Sequence, residues 1–200
     1  MGRCIDLEFI ELGGPGSLNR CPHLLFLARD PSTPAIKVLV KLVDPNWYSE
    51  GVHRALADVG LAPLLHGTAR VAGAPSAIIM EYLEPSAGWT TLQTYVETHR
   101  DIEVGIEHPA LAKLLETMKE KKVVHGDLRP NNIMCRVRPE GGTEGHELEI
   151  KVVDFDWAGK LDSARYPAIM NPAIKWPGAP GDLISEDDDG TLLGRTLAMV

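Results

Sequence analysis

The sequence is poor in cysteine, in positive charge and in long apolar runs. Its 200 residues hold three cysteines, Cys4, Cys21 and Cys135, and no C-x-x-C pair. So sparse and odd a set makes neither a disulfide framework nor a structural zinc site, and it points to a reducing compartment. The expected location is therefore cytoplasmic or nuclear. The N-terminal residues lack the apolar region of a secretory signal. No apolar stretch approaches the ~20 residues of a membrane span. The strongest, Val38 to Val43, is interrupted by Lys41. Lys plus Arg number 20 against 28 Asp plus Glu, a net charge of −8. That balance argues against nucleic acid or an anionic membrane as partner.

What is present is ordinary globular material. At 44% hydrophobic and 24% charged, the chain suits one domain or two small lobes. The first part reads as strands: 7–12, 23–28 and the β-branched run 36–43, separated by Gly- and Pro-rich turns. Residues 49–59 carry Val52, Leu56 and Val59 at helical spacing, with Ser49 as N-cap and Gly60 as stop. His53 is assigned to the surface of this helix. Strand-like pieces follow at 63–65 and 77–83, and residues 84–88 read as a linker. The division is therefore expected between residues 1–83 and 84–200. After it, helices are expected over 89–99, 110–122 and 191–200. Short strands are expected at 133–137 and 149–153, and proline-rich loop at 165–180.

Two segments carry chemistry. The first is Val123-Val124-His125-Gly126-Asp127-Leu128-Arg129-Pro130-Asn131-Asn132-Ile133-Met134. The second is Lys151-Val152-Val153-Asp154-Phe155-Asp156-Trp157-Ala158-Gly159. Asp127 and Asn132 share a Pro-containing loop between a helix and a strand, where polar side chains gather at the edge of a scaffold. Asp154 emerges from a Val-rich strand. Two carboxylates and an amide oxygen beside Arg129 suit a hard cation such as Mg²⁺, with phosphates and water completing its shell. Arg129 would neutralise charge on a transferring phosphate.

These segments resemble the catalytic loop and the metal-binding motif of the protein-kinase-like superfamily, H-R-D-x-x-x-x-N and D-F-G. The H-G-D variant is similar to aminoglycoside and choline kinase-like phosphotransferases. The string HGDLRPNNIM with DFDWAG and Arg165-Tyr166-Pro167 resembles a group of fungal kinase-like proteins. The resemblance implies an α+β, two-lobed fold with an antiparallel N-lobe sheet and a shortened helical C-lobe. It implies an ATP- and Mg²⁺-dependent phosphotransferase, with Mn²⁺ as an alternative cation, acting on a hydroxyl of a protein or small molecule. Asp127 would accept or orient the hydroxyl proton. Asn132 and Asp154 would hold the metal, with Arg129 near the transferred phosphate. Lys41 would contact the α- and β-phosphates, with Glu50 as its helix partner. The backbone of Glu81 and Leu83 would bond the adenine.

Several positions depart from the pattern. The segment expected to cradle phosphate is Leu12-Gly13-Gly14-Pro15-Gly16-Ser17, in which Pro15 removes a backbone donor. Asp156 replaces the Gly of D-F-G, and would bind a second cation or face solvent. No A-P-E segment is visible. Asp189 either braces the catalytic loop from a buried site or begins a solvated helix. His125, Trp157, Trp176 and Cys135 read as packing residues. The alternative function is a catalytically weak pseudokinase that binds nucleotide or protein.

Overall fold

Period-two alternation builds the first sheet. In Lys37–Val43, Val38, Val40 and Leu42 face one side, while Leu39, Lys41 and Val43 face the other. Both faces are apolar. Val38 and Val40 pack with Ala28, joined by Phe26, Leu42, Ala77 and Ile79. Val43 packs with Leu65, Ile78 and Met80, joined by Leu39 and Tyr48. Burial of both faces explains the near-continuous run of β-branched residues.

The computed structural model describes residues 7–10, 24–29, 36–44, 46–70, 72–100, 102, 104–139 and 146–200. The Gly-rich segment from Leu12 to Ser17, residues 30–34 and 140–145, Cys4 and Cys21 lie outside them. The chain divides into two units, Met1–Tyr48 with Leu64–Tyr82, and Ser49–Pro63 with Leu83–Val200. The helix that begins at Glu50 thus groups with the second unit.

The first unit contains β1 (Glu8–Ile10), β2 (Leu24–Arg29), β3 (Lys37–Val43), β4 (Leu65–Ala69) and β5 (Ser76–Glu81). They form one antiparallel sheet in the order β1-β2-β3-β5-β4. The strand read at 63–65 in fact runs through Gly67, where a register shift interrupts its pairing with β5.

The second unit opens with α1 (Glu50–Ala57), which buries Val52, His53 and Leu56. His53 is therefore not a surface residue; it is fully buried. Val59 lies beyond the helix end and is exposed. The pattern 52, 53, 56 is the true buried face, and the histidine inside it hid the stripe. A 3-10 turn at Pro85–Ala87 leads to β6 (Thr90–Thr91) and α2 (Leu92–Thr98). The helix expected from residue 89 starts later, because Thr90 and Thr91 pair with Cys135 and Met134. Thr91 Oγ1 then caps the helix by accepting the N–H of Thr94 at 3.1 Å.

Next come α3 (Pro109–Glu120), β7 (Val123–Val124), β8 (Ile133–Pro139), β9 (His146–Val152), β10 (Gly159–Lys160) and α4 (Asp188–Leu197). Leu111, Leu114 and Met118 form the buried stripe of α3. Strands β6-β8-β9 make one sheet and β10-β7 another. Val124, Ala164, Tyr166 and Ile184 form a core cluster, with Trp157 and Trp176 packed against it. Cys135 is buried, and burial pushes its thiol up to about 12, so it stays an inert thiol. No helix among the described residues is long and apolar enough to cross a membrane.

Candidate active site

The site is built at one end of the β8–β9 ribbon. Its register sets Ile133 opposite Val152. One step beyond, the N–H of Val153 donates to the carbonyl of Asn132 at 2.9 Å. Asn132 precedes β8 and Asp154 follows β9 by two residues, so the pairing delivers both at the same end. Asp154 has φ 70°, a left-handed conformation that Asp tolerates better than most residues. Asp156 is not among the positive-φ residues, so a side chain there carries no such strain.

The loop from His125 to Asn132 is fixed by buried Leu128 and Pro130, and ends in a 3-10 turn at Pro130–Asn132. Within it, Arg129 forks onto Asp127. Its Nε donates to Oδ1, and its Nη2 to Oδ2 at 2.8 Å. Asn132 Nδ2 donates to the backbone carbonyl of Asp127 at 2.9 Å and to Oδ2 at 3.0 Å. The hydrogen bonds that Arg129 donates to Asp127 raise its guanidinium above the ordinary value, against the opposing effect of burial. The charge of Asp154 adds a smaller push in the same direction.

Behind this loop sits α4. Asp189, only 3% exposed, accepts the backbone N–H of His125 at 2.7 Å and of Gly126 at 2.8 Å. Burial pushes its carboxyl up, and these two donors pull against that shift. Of the two readings of Asp189, the structure has the buried brace. His125 is itself buried. Its Nδ1 accepts the N–H of Asp127 at 3.3 Å, so Nε2 is the nitrogen that donates to the carbonyl of Val153 at 3.0 Å. Gly126 has φ 81°, and a Cβ on it would lie 2.7 Å from Ile184 Cδ1 and 3.2 Å from the carbonyl oxygen of Trp157. The glycine of H-G-D is thus dictated by backbone and by space.

Phe155 is packed between two histidines. The His53 ring stacks on it at 4.6 Å and 11°, and His125 meets it edge-on at 5.5 Å. His53 Nε2 also donates to the carbonyl of Pro63 at 2.7 Å. Sequence reasoning missed this; the signal available was the adjacency of His53 to Val52 and Leu56 on one helical face.

Of the four residues expected to bind nucleotide, two lie in each unit. In the first, Lys41 is 6% exposed on β3, opposite Leu25 and Ile78, and its Nζ lies 5.7 Å from the centre of the Tyr48 ring. Glu81 ends β5. Its N–H donates to Leu64 O at 2.8 Å, and its Oε2 accepts the N–H of Leu64 at 3.0 Å. In the second, Leu83 is buried, and Glu50 Oε1 accepts from Arg54 Nη2 at 2.9 Å.

The donors fit a hard cation in one specific way. Among the described residues, no three His, Cys, Asp or Glu side chains are grouped to hold a metal. Asn132 and Asp154 offer an amide oxygen and a carboxylate. Those suffice for Mg²⁺ or Mn²⁺ only when another molecule's phosphates and water fill the shell.

No family model matches the sequence, and no curated protein matches it either. Solved structures do match. The Cydia pomonella granulovirus kinase PK-1 aligns with a TM-score of 0.54 at 15% identity, covering 82% of this chain and 58% of its own. The CAK complex from Chaetomium thermophilum, bound to ATP-γ-S, aligns with a TM-score of 0.55 at 18% identity, covering 96% of this chain and 61% of its own. The fold is protein-kinase-like. The chain spans about three-fifths of the length of these two structures, at 58% and 61%. The five-stranded antiparallel sheet of the first unit and the helices and short strands of the second agree with that kinase-like assignment.

Proposed function

We propose that this protein is an ATP- and Mg²⁺-dependent phosphotransferase that moves the γ-phosphoryl group of ATP to a hydroxyl acceptor, on a protein or a small molecule. One observation carries the reading: Asp127, Arg129 and Asn132 are bonded to one another, and Asn132 is bonded to Val153, the residue before Asp154. The CAK complex, similar in fold, is bound to ATP-γ-S, which supports ATP as the nucleotide.

In this reading Asp127 takes the proton of the acceptor hydroxyl as its oxygen bonds to the γ-phosphorus. The bond from that phosphorus to the β-γ bridging oxygen breaks, and ADP leaves. Arg129 offsets charge on the phosphoryl oxygens. A Mg²⁺ or Mn²⁺ ion held by Asn132 and Asp154 would supply charge neutralisation on the phosphates. Lys41 binds the α- and β-phosphates, supported by Glu50. Leu83 and Glu81 bond the adenine through their backbones. The Glu81 N–H is engaged by Leu64, so its carbonyl is the group assigned to the nucleotide.

The test is ATP turnover by purified protein with Mg²⁺ or Mn²⁺ and a panel of hydroxyl acceptors. Phosphate transfer or ATP hydrolysis that disappears in Asp127→Ala while nucleotide binding persists is the expected result. Nucleotide binding with no turnover under either metal would instead identify a pseudokinase.

A further inference from the structure

The second unit holds one aromatic residue that touches the proposed catalytic loop through a charge. The guanidinium carbon of Arg129 lies 5.6 Å from the centre of the Trp176 ring. That distance is within the range at which an aromatic face attracts a cation.

Trp176 is itself held from several sides. Its indole N–H donates to the carbonyl of Asn171 at 2.9 Å. Its ring packs against Trp157 at 4.9 Å and Tyr166 at 6.4 Å. Next to it, the carbonyl of Lys175 accepts from Arg195 Nη1 at 3.3 Å. The ring also rests on the cluster of Val124, Ala164, Tyr166 and Ile184.

Arg129 therefore has two anchors of different kind. The Asp127 fork fixes the edge of the guanidinium by hydrogen bonds, and the Trp176 ring attracts its charge. A rigid, planar guanidinium presents that fork pre-formed, which a flexible ammonium does not. Without the ring, a long side chain regains rotamer freedom at the point where the fork must be held.

We propose that Trp176 is a positioning residue of the phosphoryl-transfer site, holding Arg129 in register with Asp127; its effect on turnover rests on the function proposed above. Trp176→Leu and Trp176→Phe both remove the N–H bond to Asn171, but only Leu removes the aromatic face. Comparing them isolates that face.

The first readout needs no activity. The Nε–Hε signal of Arg129 in nitrogen-15 NMR, assigned through Arg129→Lys, should shift in Trp176→Leu and exchange with water about tenfold faster. In Trp176→Phe it should stay close to wild type. The second readout is kinetic. In Trp176→Leu, kcat should fall about tenfold with KM for ATP nearly unchanged, and Phe should restore most of it. An Arg129 signal unmoved by Trp176→Leu would overturn the proposal, as would equal effects of Leu and Phe on that signal. If the wild-type protein transfers no phosphate, the proposed function fails, while the Arg129 signal still decides the positioning contact.

Discussion

Asp189 reaches back across 64 residues to accept the backbone N–H of His125 at 2.7 Å. Its other oxygen takes the N–H of Gly126. One buried carboxylate thereby satisfies two adjacent main-chain donors at the start of the loop of residues 125–132. Asp189→Ala leaves both donors unpaired, at a cost of about 2–4 kcal/mol. Asp189→Asn keeps one acceptor and turns an amide N–H toward the other donor. Both variants should lower the denaturant midpoint. Amide exchange at His125 and Gly126 should rise more than exchange in α3.

Gly126→Ala tests the second constraint on that loop. The added methyl meets Ile184 Cδ1 at 2.7 Å, at a φ that L residues rarely adopt. A loss of about 1–3 kcal/mol in unfolding free energy is expected. Gly60→Ala shares a positive φ but meets nothing within 4 Å, so it should cost less. Equal losses would show that space around Gly126 is unimportant.

His53 gives the second unit a pH dependence of definite sign. Burial pushes its pKa down to about 4 from an ordinary value of 6.5. The unfolded chain binds the proton more readily than the folded one. The stabilisation is therefore complete above pH 6.5 and is lost as pH falls toward 4. The loss is on the order of 3 kcal/mol between pH 7 and pH 4. His53→Phe should keep a ring beside Phe155 and remove this contribution to acid sensitivity. It should also cost about 1–2 kcal/mol at neutral pH, because the Pro63 carbonyl loses its donor. Urea melts at several pH values measure both effects.

Binding and turnover should separate by residue. Asp154→Ala should abolish Mg²⁺-dependent ATP binding, read by calorimetry with and without the metal. Asp127→Ala should leave that binding within about twofold while removing turnover. A loss of roughly 10³-fold or more is expected of a general base whose charge also orients the acceptor. Lys41→Met should weaken ATP binding. Unchanged affinity there would count against the assignment of Lys41 to the nucleotide phosphates.

Much of this molecule could be read before it was seen, for physical reasons. Period-two alternation and β-branched runs announced β2, β3 and β5, and the α3 stripe stood out because Leu111, Leu114 and Met118 are apolar without interruption. The segments around Asp127 and Asp154 were legible as residue strings, each set beside a short apolar strand, and the pairing of β8 with β9 brings their ends together. Long-range satisfaction was not legible. Nothing local to Asp189 distinguishes a helix-start carboxylate from a brace; only the backbone 64 residues away decides it. His53 was misread because polarity suggests a surface, while its Pro63 bond and the Phe155 ring make burial tolerable. Trp176 was rightly read as packing, but its contact with Arg129 joins segments distant in sequence.

The fit around Gly126 couples this loop to two distant positions. A side chain at 126, such as the arginine of the H-R-D form, brings its Cβ within 2.7 Å of Ile184 Cδ1, a side-chain end that can turn aside. It also comes within 3.2 Å of the Trp157 carbonyl oxygen, which is backbone and has less room to give. Position 126 is thus tied to two residues far from it in sequence, so exchange between the two motif forms is felt at Ile184 and Trp157 as well as in the loop.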